Sequence, residues 1–458
     1  MADYQLLILG GGLSGLAAGI RAARFGRKTL ILEQHARPGG LNSYYHRQGH
    51  LLETGLHAMT NFAAPEKKHA PLNRLFRQLY LSRREFVCRE QLGSTIRFPD
   101  ATLQFTNDTA VLIEDIGRHF PVSLDPFLQL RHEIAHLDPF APGPWRSARQ
   151  FISAILPDEL LADMLLLPLM VYGNAEEHDM DLRQFVIMFR AVFEEGFFRP
   201  QQTIREFLDL LIQQYRSFQG ELRYRSPVAE ILFAGDKAVG ARLESGEEIT
   251  ADAVLSTVGL PETIRLTGWP VDATRHAGQM SFIETISLVP SSWQETLAGG
   301  DTIIFYNTGD TFHYKRPDTL VDTSWGVICF PDSFAGMAAG DMRQIRVTNP
   351  ANYTLWRQLD PDRYRQQKHR WTAASVGVSE EIIGNYGASV VYQDSFTPLT
   401  IERFTRKAEG AVYGSPEKIR DGRTPWPNLF LAGTDQGYLG IVGAMLSGVT
   451  IVNNHLLH

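Results

Sequence analysis

Residues 4–33 read YQLLILGGGLSGLAAGIRAARFGRKTLILE and specify the class of fold. Tyr4 to Leu9 and Thr29 to Leu32 are apolar runs of strand length, and between them leucine, isoleucine and alanine recur at helical spacing. Gly26 follows the last helical position, where a left-handed cap ends a helix. The segment therefore predicts a strand, a helix and a second strand.

The turn between the first strand and the helix carries Gly10, Gly12 and Gly15 in the spacing G-x-G-x-x-G. In a dinucleotide-binding fold the first glycine permits a tight turn, the second lets the backbone approach a pyrophosphate, and the third lets helix and strand pack closely. The N-terminus of the helix attracts the anion. We expect Leu13 and Ser14, inside the same motif, to contact the ligand as well.

Glu33 ends the second predicted strand, where a carboxylate can accept hydrogen bonds from both ribose hydroxyls. An acidic residue at this place disfavours a 2′-phosphate, so the predicted ligand is FAD or NAD rather than NADP. The alternative is a glycine-rich turn without a ligand. The strand before the turn, the helix after it and Glu33 favour the dinucleotide.

Further glycine-rich segments follow this unit and recur near the other end of the chain. They are RPGGLNS at 37–43, ETGLH at 53–57, NLFLAGTD at 428–435 and GIVGAMLSG at 440–448. Together with TPLTIERF at 397–404 and AVYG at 411–414, they resemble the FAD-dependent phytoene desaturase, carotenoid isomerase and retinol saturase family within the amine-oxidase-like flavoproteins. The resemblance covers about residues 1–60 and 395–455.

The resemblance implies that FAD is the cofactor and indicates which residues contact it. The glycine pair after Glu33 would lie along FAD, segment 53–57 would run beside the isoalloxazine, and the C-terminal motif would close over the ribityl chain and the ring. The implied contacts are Gly39, Gly40, Leu41, Asn42, Gly55, Leu56, His57, Val228, Gly433, Asp435, Gly440, Ile441, Val442 and Ala444. The chain departs from the family at Leu41, where members often have Arg, and at 199–202, where Arg-Pro-Gln-Gln replaces Pro-Lys-Gly-Gly.

The predicted fold class is α/β, with a Rossmann-like FAD-binding domain and an inserted α+β substrate domain. The FAD-binding domain is expected to combine residues 1–69, 215–275 and 401–458. The substrate-binding domain is expected to combine residues 70–214 and 276–400.

The middle of the chain contains three apolar patterns. Ile204, Phe207, Leu208, Leu211, Tyr215 and Phe218 fall at helical spacing and predict a core-facing stripe. The blocks 160–172 and 185–193 are apolar almost all round, which is typical of buried helices or of surfaces that face lipid or a greasy ligand. Both interpretations stay open.

The resemblance also implies an activity on C–C or C=C bonds. We expect an FAD-dependent enzyme that desaturates, saturates or isomerises a long hydrophobic, isoprenoid or polyene-like substrate, with an electron partner that the sequence does not identify. His57 is the candidate proton donor or acceptor, because imidazole titrates near neutrality. Tyr438 is the candidate side chain that covers the ring, and Asp435 is expected to bind the ribityl chain or a water near the flavin. A purely structural or FAD-contacting role is the alternative for each.

Two other functions stay open. Gly433-Thr434-Asp435 resembles the Gly-Thr-Glu of flavin amine oxidases. A non-catalytic prenyl- or lipid-binding protein of the GDP-dissociation-inhibitor type shares the same architecture, although the complete set of dinucleotide motifs disfavours it.

The composition disfavours other classes. With 44 Lys and Arg against 51 Asp and Glu, the net charge is −7 and no dense basic run exists, so nucleic-acid binding is not expected. The two cysteines, Cys88 and Cys329, are far apart, which excludes a disulfide framework and a zinc ribbon. We therefore expect the cytoplasm as the compartment.

No segment predicts a membrane crossing. The apolar stretch from Leu6 to Ile20 follows Asp3 and is interrupted by glycines, so it is not expected to be a signal peptide. The longest other apolar block, Met164 to Tyr172, has about half of the roughly 20 residues that span a bilayer. Contact with a membrane surface stays open.

One metal motif has to be weighed against the flavin motifs. His132-Glu133-Ile134-Ala135-His136 matches H-E-x-x-H, which on a helix can bind zinc. Pro139 ends that helix within a turn and no third ligand is indicated, so no metal site is expected. His46 and His50 are interpreted as parts of a hairpin rather than as ligands.

Overall fold

The computed structural model describes residues 2–293, 300–337 and 340–457. The strands are β1 (Tyr4–Leu9), β2 (Thr29–Leu32), β3 (Tyr44–Arg47), β4 (His50–Glu53), β5 (Cys88–Glu90), β6 (Ser94–Arg97), β7 (Thr102–Phe105), β8 (Phe198–Pro200), β9 (Glu221–Arg223), β10 (Val228–Ala234), β11 (Lys237–Leu243), β12 (Glu248–Ser256), β13 (Ser281–Pro290), β14 (Ile303–Asn307), β15 (Trp325–Cys329), β16 (Met342–Ala351), β17 (Tyr392–Phe396) and β18 (Leu429–Leu431). The helices are α1 (Leu13–Arg24), α2 (Pro71–Leu79), α3 (Thr109–His119), α4 (Leu124–His136), α5 (Ala148–Ser153), α6 (Glu159–Gly173), α7 (Leu182–Phe189), α8 (Ile204–Ser217), α9 (Leu260–Thr267), α10 (Tyr353–Arg357), α11 (Pro361–Ile383), α12 (Pro398–Thr405) and α13 (Gly440–Ile451).

The first sheet is built around β1. This strand pairs in parallel with β2 and with β12, while β9 extends the sheet beside β2 and β18 extends it beside β12. β10 and β11 form an antiparallel hairpin on the first residues of β12. Because α1 connects the parallel strands β1 and β2, the predicted strand, helix and strand are confirmed as the start of a Rossmann-like sheet.

Helices α1 and α13 cover the first sheet and lie very close to each other. A Cβ atom built on Gly448 of α13 would lie 2.1 Å from the carbonyl oxygen of Ser14 in α1. No side chain other than that of glycine fits at this crossing. Helix α8 packs on the same layer, and its predicted stripe from Ile204 to Tyr215 is buried in the same hydrophobic cluster.

The second sheet has the order β17-β13-β16-β15-β14-β6-β7 and is antiparallel except for the pair of β14 with β6. Strand β13, which lies between β17 and β16, is buried along almost its whole length. Helices α6 and α7 pack against one side of this sheet in a large apolar cluster, so both apolar blocks of the sequence are core helices in the structure. Helix α11 contributes to a cluster with other residues of the sheet.

The two sheets draw on different parts of the chain. The first sheet uses strands within 4–32, 221–256 and 429–431, and the second uses strands within 94–105, 281–351 and 392–396. Helices α2 and α8, which the predicted ranges give mainly to the substrate domain, share the cluster of the first sheet. The predicted boundary at 214/215 falls inside α8, and the limits of the two domains stay a prediction.

Among the residues that the structure describes, no helix is both long enough and apolar enough to pass through a bilayer.

Candidate active site

The glycine-rich turn lies between β1 and α1 with two positions that only glycine can occupy. Gly10 has φ of +102°, and a Cβ atom on Gly15 would lie 2.0 Å from the carbonyl oxygen of Gly10. By contrast, among the described residues, chain neighbours aside, no atom lies within 4 Å of a Cβ position built on Gly12. The turn is therefore tight on the side of the strand and open at Gly12, where α1 begins.

The open space beside Gly12 has the features of a phosphate site. The Ser14 hydroxyl is buried and has no hydrogen-bond partner among the described residues. It lies 4.0 Å from the Cβ position of Gly433, which itself has φ of +106°. Unpaired N–H groups at the first turn of α1 add further donors. A buried donor without an acceptor, beside a gap at a helix N-terminus, fits a diphosphate.

Glu33 lies directly after β2 and is buried. Its Oε2 accepts a hydrogen bond of 2.8 Å from the backbone N–H of Gly11, and its Oε1 accepts one of 2.8 Å from that of His35. Burial raises the pKa of this carboxyl group, while the backbone hydrogen bonds oppose that effect. The backbone carbonyl of Glu33 accepts from Ser226, which brings Val228 at the start of β10 close to the same corner.

The segment after Glu33 returns to the glycine-rich turn. The N–H of Gly39 donates to the carbonyl of Gly11 at 2.9 Å, and residues 40–42 form a short helical turn that contains Leu41 and Asn42. A Cβ atom on Gly55 would lie 2.5 Å from the carbonyl oxygen of Leu41. The predicted FAD segments 39–42 and 53–57 therefore lie side by side, as they must to share one extended ligand.

Two buried arginines from other elements hold segment 53–57. Nη1 of Arg199 in β8 donates to the carbonyls of Leu56 at 2.6 Å and of His57 at 2.8 Å, and Nη2 pairs with Glu53. Nη2 of Arg346 in β16 donates to the carbonyl of Thr54 at 2.8 Å. Guanidinium groups thus fix the side chain of Glu53 and the carbonyls of Thr54, Leu56 and His57 along this segment.

The imidazole of His57 meets a buried carboxylate. Nε2 of His57 lies 2.8 Å from Oε1 of Glu284 in β13, and Nε of Arg346 donates to the same oxygen at 2.6 Å. The hydroxyl of Thr348 donates to Oε2 of Glu284. Burial alone would raise the pKa of Glu284, but Arg346, His57 and Thr348 together lower it to about 2. Glu284 is therefore ionised at any physiological pH.

The surroundings of this group are aromatic. The ring of Tyr172 packs on Phe197 and Phe305, with centroids 5.0 and 5.5 Å apart, and its buried hydroxyl has no hydrogen-bond partner among the described residues. The hydroxyl of Tyr413 donates to the carbonyl of Val171. Burial raises the pKa of both phenols well above the ordinary value, so both stay neutral.

The C-terminal motif lies against the first sheet. Asp435 is buried, and its two carboxylate oxygens accept from the backbone N–H groups of Ser415 and Leu260. Both oxygens thus hold the protein backbone, which is the structural alternative for this residue. Helix α13 begins at Gly440 with φ of +73°; Ile441 and Val442 are buried and Ala444 is half-buried.

The contacts that the structure gives for Tyr438 are with residues other than His57 and Glu284. Its ring stacks on Phe140 with centroids 5.4 Å apart, and its hydroxyl interacts with Thr450. The structure therefore brings His57 together with Glu284, and it gives Tyr438 neighbours on α13 and on the loop after α4. The role of Tyr438 stays a prediction.

The histidine motifs fall elsewhere. His132 and His136 end α4, with ring centroids 4.3 Å apart, and a ring nitrogen of His136 bonds to the carbonyl of His132. Within the described ranges, no group of three or more His, Cys, Asp or Glu side chains could hold a metal ion. His46 and His50 lie on the β3–β4 hairpin, as predicted.

Sequence reasoning missed Arg199, Glu284, Arg346 and Thr348. A signal was present at one of them, because Glu284 is the only charged residue in the strand segment SFIETISLVP at 281–290. A lone carboxylate in such a segment is expensive to bury without partners. The cost of burying this carboxylate could have indicated that Glu284 has a functional role, but the sequence does not show that His57 is its partner.

Comparison with known proteins identifies the family. The family described as "Flavin containing amine oxidoreductase" matches residues 13–454. The chain belongs to this family. As a member of the flavin-containing amine oxidoreductases it is an FAD-dependent oxidoreductase, so the predicted cofactor, the predicted enzyme class and the recognised resemblance are confirmed.

Curated relatives in this family match at low identity. All-trans-retinol 13,14-reductase of Danio rerio is 20% identical and covers 100% of this chain and 87% of its own. Prolycopene isomerase of Arabidopsis thaliana is 20% identical over 96% of this chain and 76% of its own. Phytoene desaturase (lycopene-forming) of Pseudescherichia vulneris is 22% identical over 57% of each chain.

Solved structures confirm the fold class. An oxidoreductase from Methanosarcina mazei is 15% identical, with a TM-score of 0.68 over 98% of this chain and 100% of its own. Putrescine oxidase bound to putrescine is 16% identical, with a TM-score of 0.65 over 99% of each chain. Cyclohexylamine oxidase from Brevibacterium oxydans is 14% identical, with a TM-score of 0.61 over 99% of this chain and 98% of its own.

Proposed function

We propose that this flavin-containing oxidoreductase acts on a C–C or C=C bond of a long hydrophobic, isoprenoid or polyene substrate, by desaturation, saturation or cis–trans isomerisation. The observation that carries the proposal is the set of curated relatives, which are named for reactions of retinol, phytoene and prolycopene. The apolar packing near Glu284 is consistent with it, because Tyr172 and Tyr413, which interact electrostatically with Glu284, belong to a largely aromatic part of the core.

The residues that would hold FAD are those of the predicted motifs. The N-terminus of α1 with Gly12 and Ser14 would bind the diphosphate, Glu33 would accept from the ribose, and the backbone of 39–42 and 440–442 would line the rest of the cofactor. The chemistry that FAD supplies there is hydride acceptance and donation. Asp435 and Tyr438 stay candidate contacts of the ribityl chain and of the ring.

His57 would hold or move the proton of the reaction. Nε2 of His57 is bonded to Glu284, and Nδ1 has no hydrogen bond to any of the described residues, so Nδ1 is the ring atom available to a substrate. The nearby phenols of Tyr172 and Tyr413 stay neutral because burial raises the pKa of each, which leaves His57 as the candidate group for the proton transfer.

The first experiment compares substrate classes on the purified FAD-loaded protein. We expect retinol, phytoene or prolycopene to be converted, with the direction read from the flavin spectrum. Bleaching of oxidised flavin indicates desaturation, reoxidation of reduced flavin by the polyene indicates saturation, and isomer exchange at constant flavin absorbance indicates isomerisation. Peroxide release with putrescine or cyclohexylamine and no polyene turnover would contradict the proposal in favour of an amine oxidase. A protein that cannot take up FAD would contradict it in favour of a lipid-binding protein.

The proposal includes peripheral contact with a membrane from the cytoplasmic side, because a polyene resides in lipid. The proline-rich loop 137–146 exposes Phe140 and Trp145, which are 53% and 50% accessible. Beside the loop lies a cavity of about 330 Å³, lined in part by Leu182 and Val186 of α7. Exposed aromatic side chains next to an apolar cavity suit entry of a substrate from a bilayer.

Flotation with phosphatidylcholine vesicles tests this contact. We expect the protein to float with the vesicles, and the double variant Phe140→Ser/Trp145→Ser to lose most of this binding. Phe25→Ser is the matched control, because Phe25 is 54% exposed at the C-terminal cap of α1, far along the chain from the loop. Equal flotation of both variants, or no flotation of the wild-type protein, would contradict membrane contact through this loop.

A further inference from the structure

We propose that Glu284 is a positioning residue that fixes the tautomer and the orientation of His57, so that Nδ1 is the atom through which His57 exchanges its proton with the substrate. The inference rests on the proposed function, in which His57 holds or moves a proton. It adds that Glu284 orients the imidazole and that Nδ1 is the ring atom that exchanges the proton.

The contact between the two side chains defines which nitrogen carries hydrogen. An ionised carboxylate only accepts hydrogen bonds, so Nε2 of His57, at 2.8 Å from Oε1 of Glu284, must be the donor. Nε2 therefore carries a proton in the neutral and in the charged imidazole alike. The lone pair of the neutral ring is left on Nδ1, which no described residue hydrogen-bonds, and the His57 side chain is 16% exposed.

Each carboxylate oxygen of Glu284 accepts a hydrogen bond from a side chain of β16. Glu284 lies on β13 directly opposite Thr348 of β16, whose hydroxyl donates to Oε2. Arg346, two residues earlier on β16, donates through Nε to Oε1 at 2.6 Å. Since both partners belong to the neighbouring strand of a buried sheet, the carboxylate has little freedom to leave the imidazole.

The same arginine also fixes the backbone that carries His57. Nη2 of Arg346 donates to the carbonyl of Thr54 at 2.8 Å and Nη1 donates to that of Leu56 at 3.3 Å. The guanidinium group of Arg346 therefore holds both the carboxylate that accepts from the imidazole and the backbone segment that carries His57. This arrangement sets the ring relative to segment 53–57, which is expected to run beside the flavin.

The charges around His57 are almost balanced. Glu284 is paired with Arg346, whose side chain is fully buried, and Glu53 on β4 is paired with Arg199 on β8. Tyr172 on α6, Tyr413 before the C-terminal motif and Cys329 on β15 are neutral, because burial raises the pKa of each of them. The imidazole of His57 therefore faces a carboxylate whose charge is already paired with Arg346, rather than an isolated buried charge.

The proton balance of the reaction is consistent with this assignment. Saturation of a C=C bond adds one hydride and one proton, and desaturation removes the same pair; bound FAD would supply or accept the hydride. His57 would give the proton from Nδ1 in the first direction and take it up at Nδ1 in the second. Nε2 keeps its proton throughout, because Glu284 holds it.

The tautomer of His57 is measurable by nitrogen-15 NMR of the histidine rings in the FAD-loaded protein. The resonance among the 14 histidines is assigned by its loss in His57→Gln. We expect the neutral wild-type ring to be the Nε2–H tautomer, because Nε2 faces the Glu284 carboxylate. A wild-type ring with hydrogen on Nδ1 would overturn the inference without any further variant.

Two variants separate the hydrogen bond from the charge. The double variant Glu284→Met/Arg346→Met removes the acceptor without leaving an unpaired buried arginine. We expect it to lose the fixed tautomer, with a mixture of both neutral forms, and to lower kcat by about 100-fold. The tautomer is the decisive readout, because Arg346→Met also removes the donors to the carbonyls of Thr54 and Leu56. Glu284→Gln keeps an oxygen for Nε2 and is expected to retain the Nε2–H tautomer and most of kcat, at a lower free energy of unfolding because the buried Arg346 loses its counter-charge. An unchanged tautomer in the double variant would overturn the positioning role.

Failure of the proposed function would look different. If no polyene is converted by the wild-type protein, the polyene function fails, while the NMR result still decides what Glu284 does to His57. If His57→Gln converts the polyene as fast as the wild-type protein, the assignment of Nδ1 as the reacting atom is overturned. A loss of activity in His57→Gln together with a mixed tautomer and low kcat in the double variant supports the inference.

Discussion

Arg199 and Glu53 form an ion pair in the interior of the protein, with side chains 5% and 8% exposed. Both partners have further tasks, since Oε1 of Glu53 accepts from the N–H of Ile204 at 2.6 Å and Arg199 donates to the carbonyls of Leu56 and His57. The pair thus joins the strand before His57 to the start of α8. It connects a segment expected to contact FAD with a helix that packs on the first sheet.

We expect Arg199→Met to lower the free energy of unfolding by about 3–5 kcal/mol, because Glu53 would stay buried without its counter-charge. Chemical denaturation of the apoprotein, followed by circular dichroism, measures this change. Arg242→Met is the matched control, because Arg242 pairs with Glu230 and Glu248 on the surface, where a salt bridge contributes about 1 kcal/mol or less. Equal effects of the two substitutions would show that the buried pair does not hold the fold.

The glycine-rich turn permits a test that separates folding from cofactor binding. We expect Gly12→Ala to leave the stability of the apoprotein almost unchanged, because nothing lies within 4 Å of the new methyl group, and to weaken FAD binding by tenfold or more. Gly15→Ala is expected to destabilise the apoprotein itself, because its methyl group would lie 2.0 Å from the carbonyl oxygen of Gly10. Titration with FAD and thermal unfolding measure the two quantities. Unchanged FAD affinity in Gly12→Ala would show that the diphosphate does not bind beside Gly12.

Asp435 offers a second separation of roles. We expect Asp435→Asn to lower the free energy of unfolding of the apoprotein by about 1–3 kcal/mol, because a single amide oxygen cannot replace both acceptors of the Ser415 and Leu260 N–H groups. Thermal unfolding without FAD measures this loss. An unchanged stability of the apoprotein together with weaker FAD binding would instead show that Asp435 acts by contacting the cofactor.

The first sheet was predictable because its evidence is local. The apolar run 4–9, the helical spacing after Gly12 and the acid at Glu33 all fall within one short segment, and the structure has β1, α1 and β2 there. Ile441 and Val442 in α13, near the C-terminus, were predicted to contact FAD from the family resemblance alone. Local patterns cannot show that α13 packs on α1, because the contact of Gly448 with Ser14 joins distant parts of the chain.

The partners of His57 were not predictable for the same reason. Glu284 and Arg346 are more than 200 positions away from His57, and only the register of β13 against β16 brings them to the imidazole. The apolar blocks of α6 and α7 show a different limit. An all-round apolar pattern does not distinguish a buried helix from a lipid-facing one, and only the packing on the second sheet shows that both are buried.

The ionisation of Glu284 predicts a contribution to acid stability. Its pKa in the folded protein is about 2, below the ordinary value near 4.5, so the folded state favours the ionised form. The contribution is therefore complete above about pH 4.5 and is lost as the pH falls towards 2. We expect the free energy of unfolding of the wild-type apoprotein to fall more steeply between pH 5 and about pH 2 than that of Glu284→Gln, whose amide does not titrate. Urea denaturation at a series of pH values measures the difference, and parallel curves for the two proteins would mean that Glu284 is not held as an ion by Arg346 and His57.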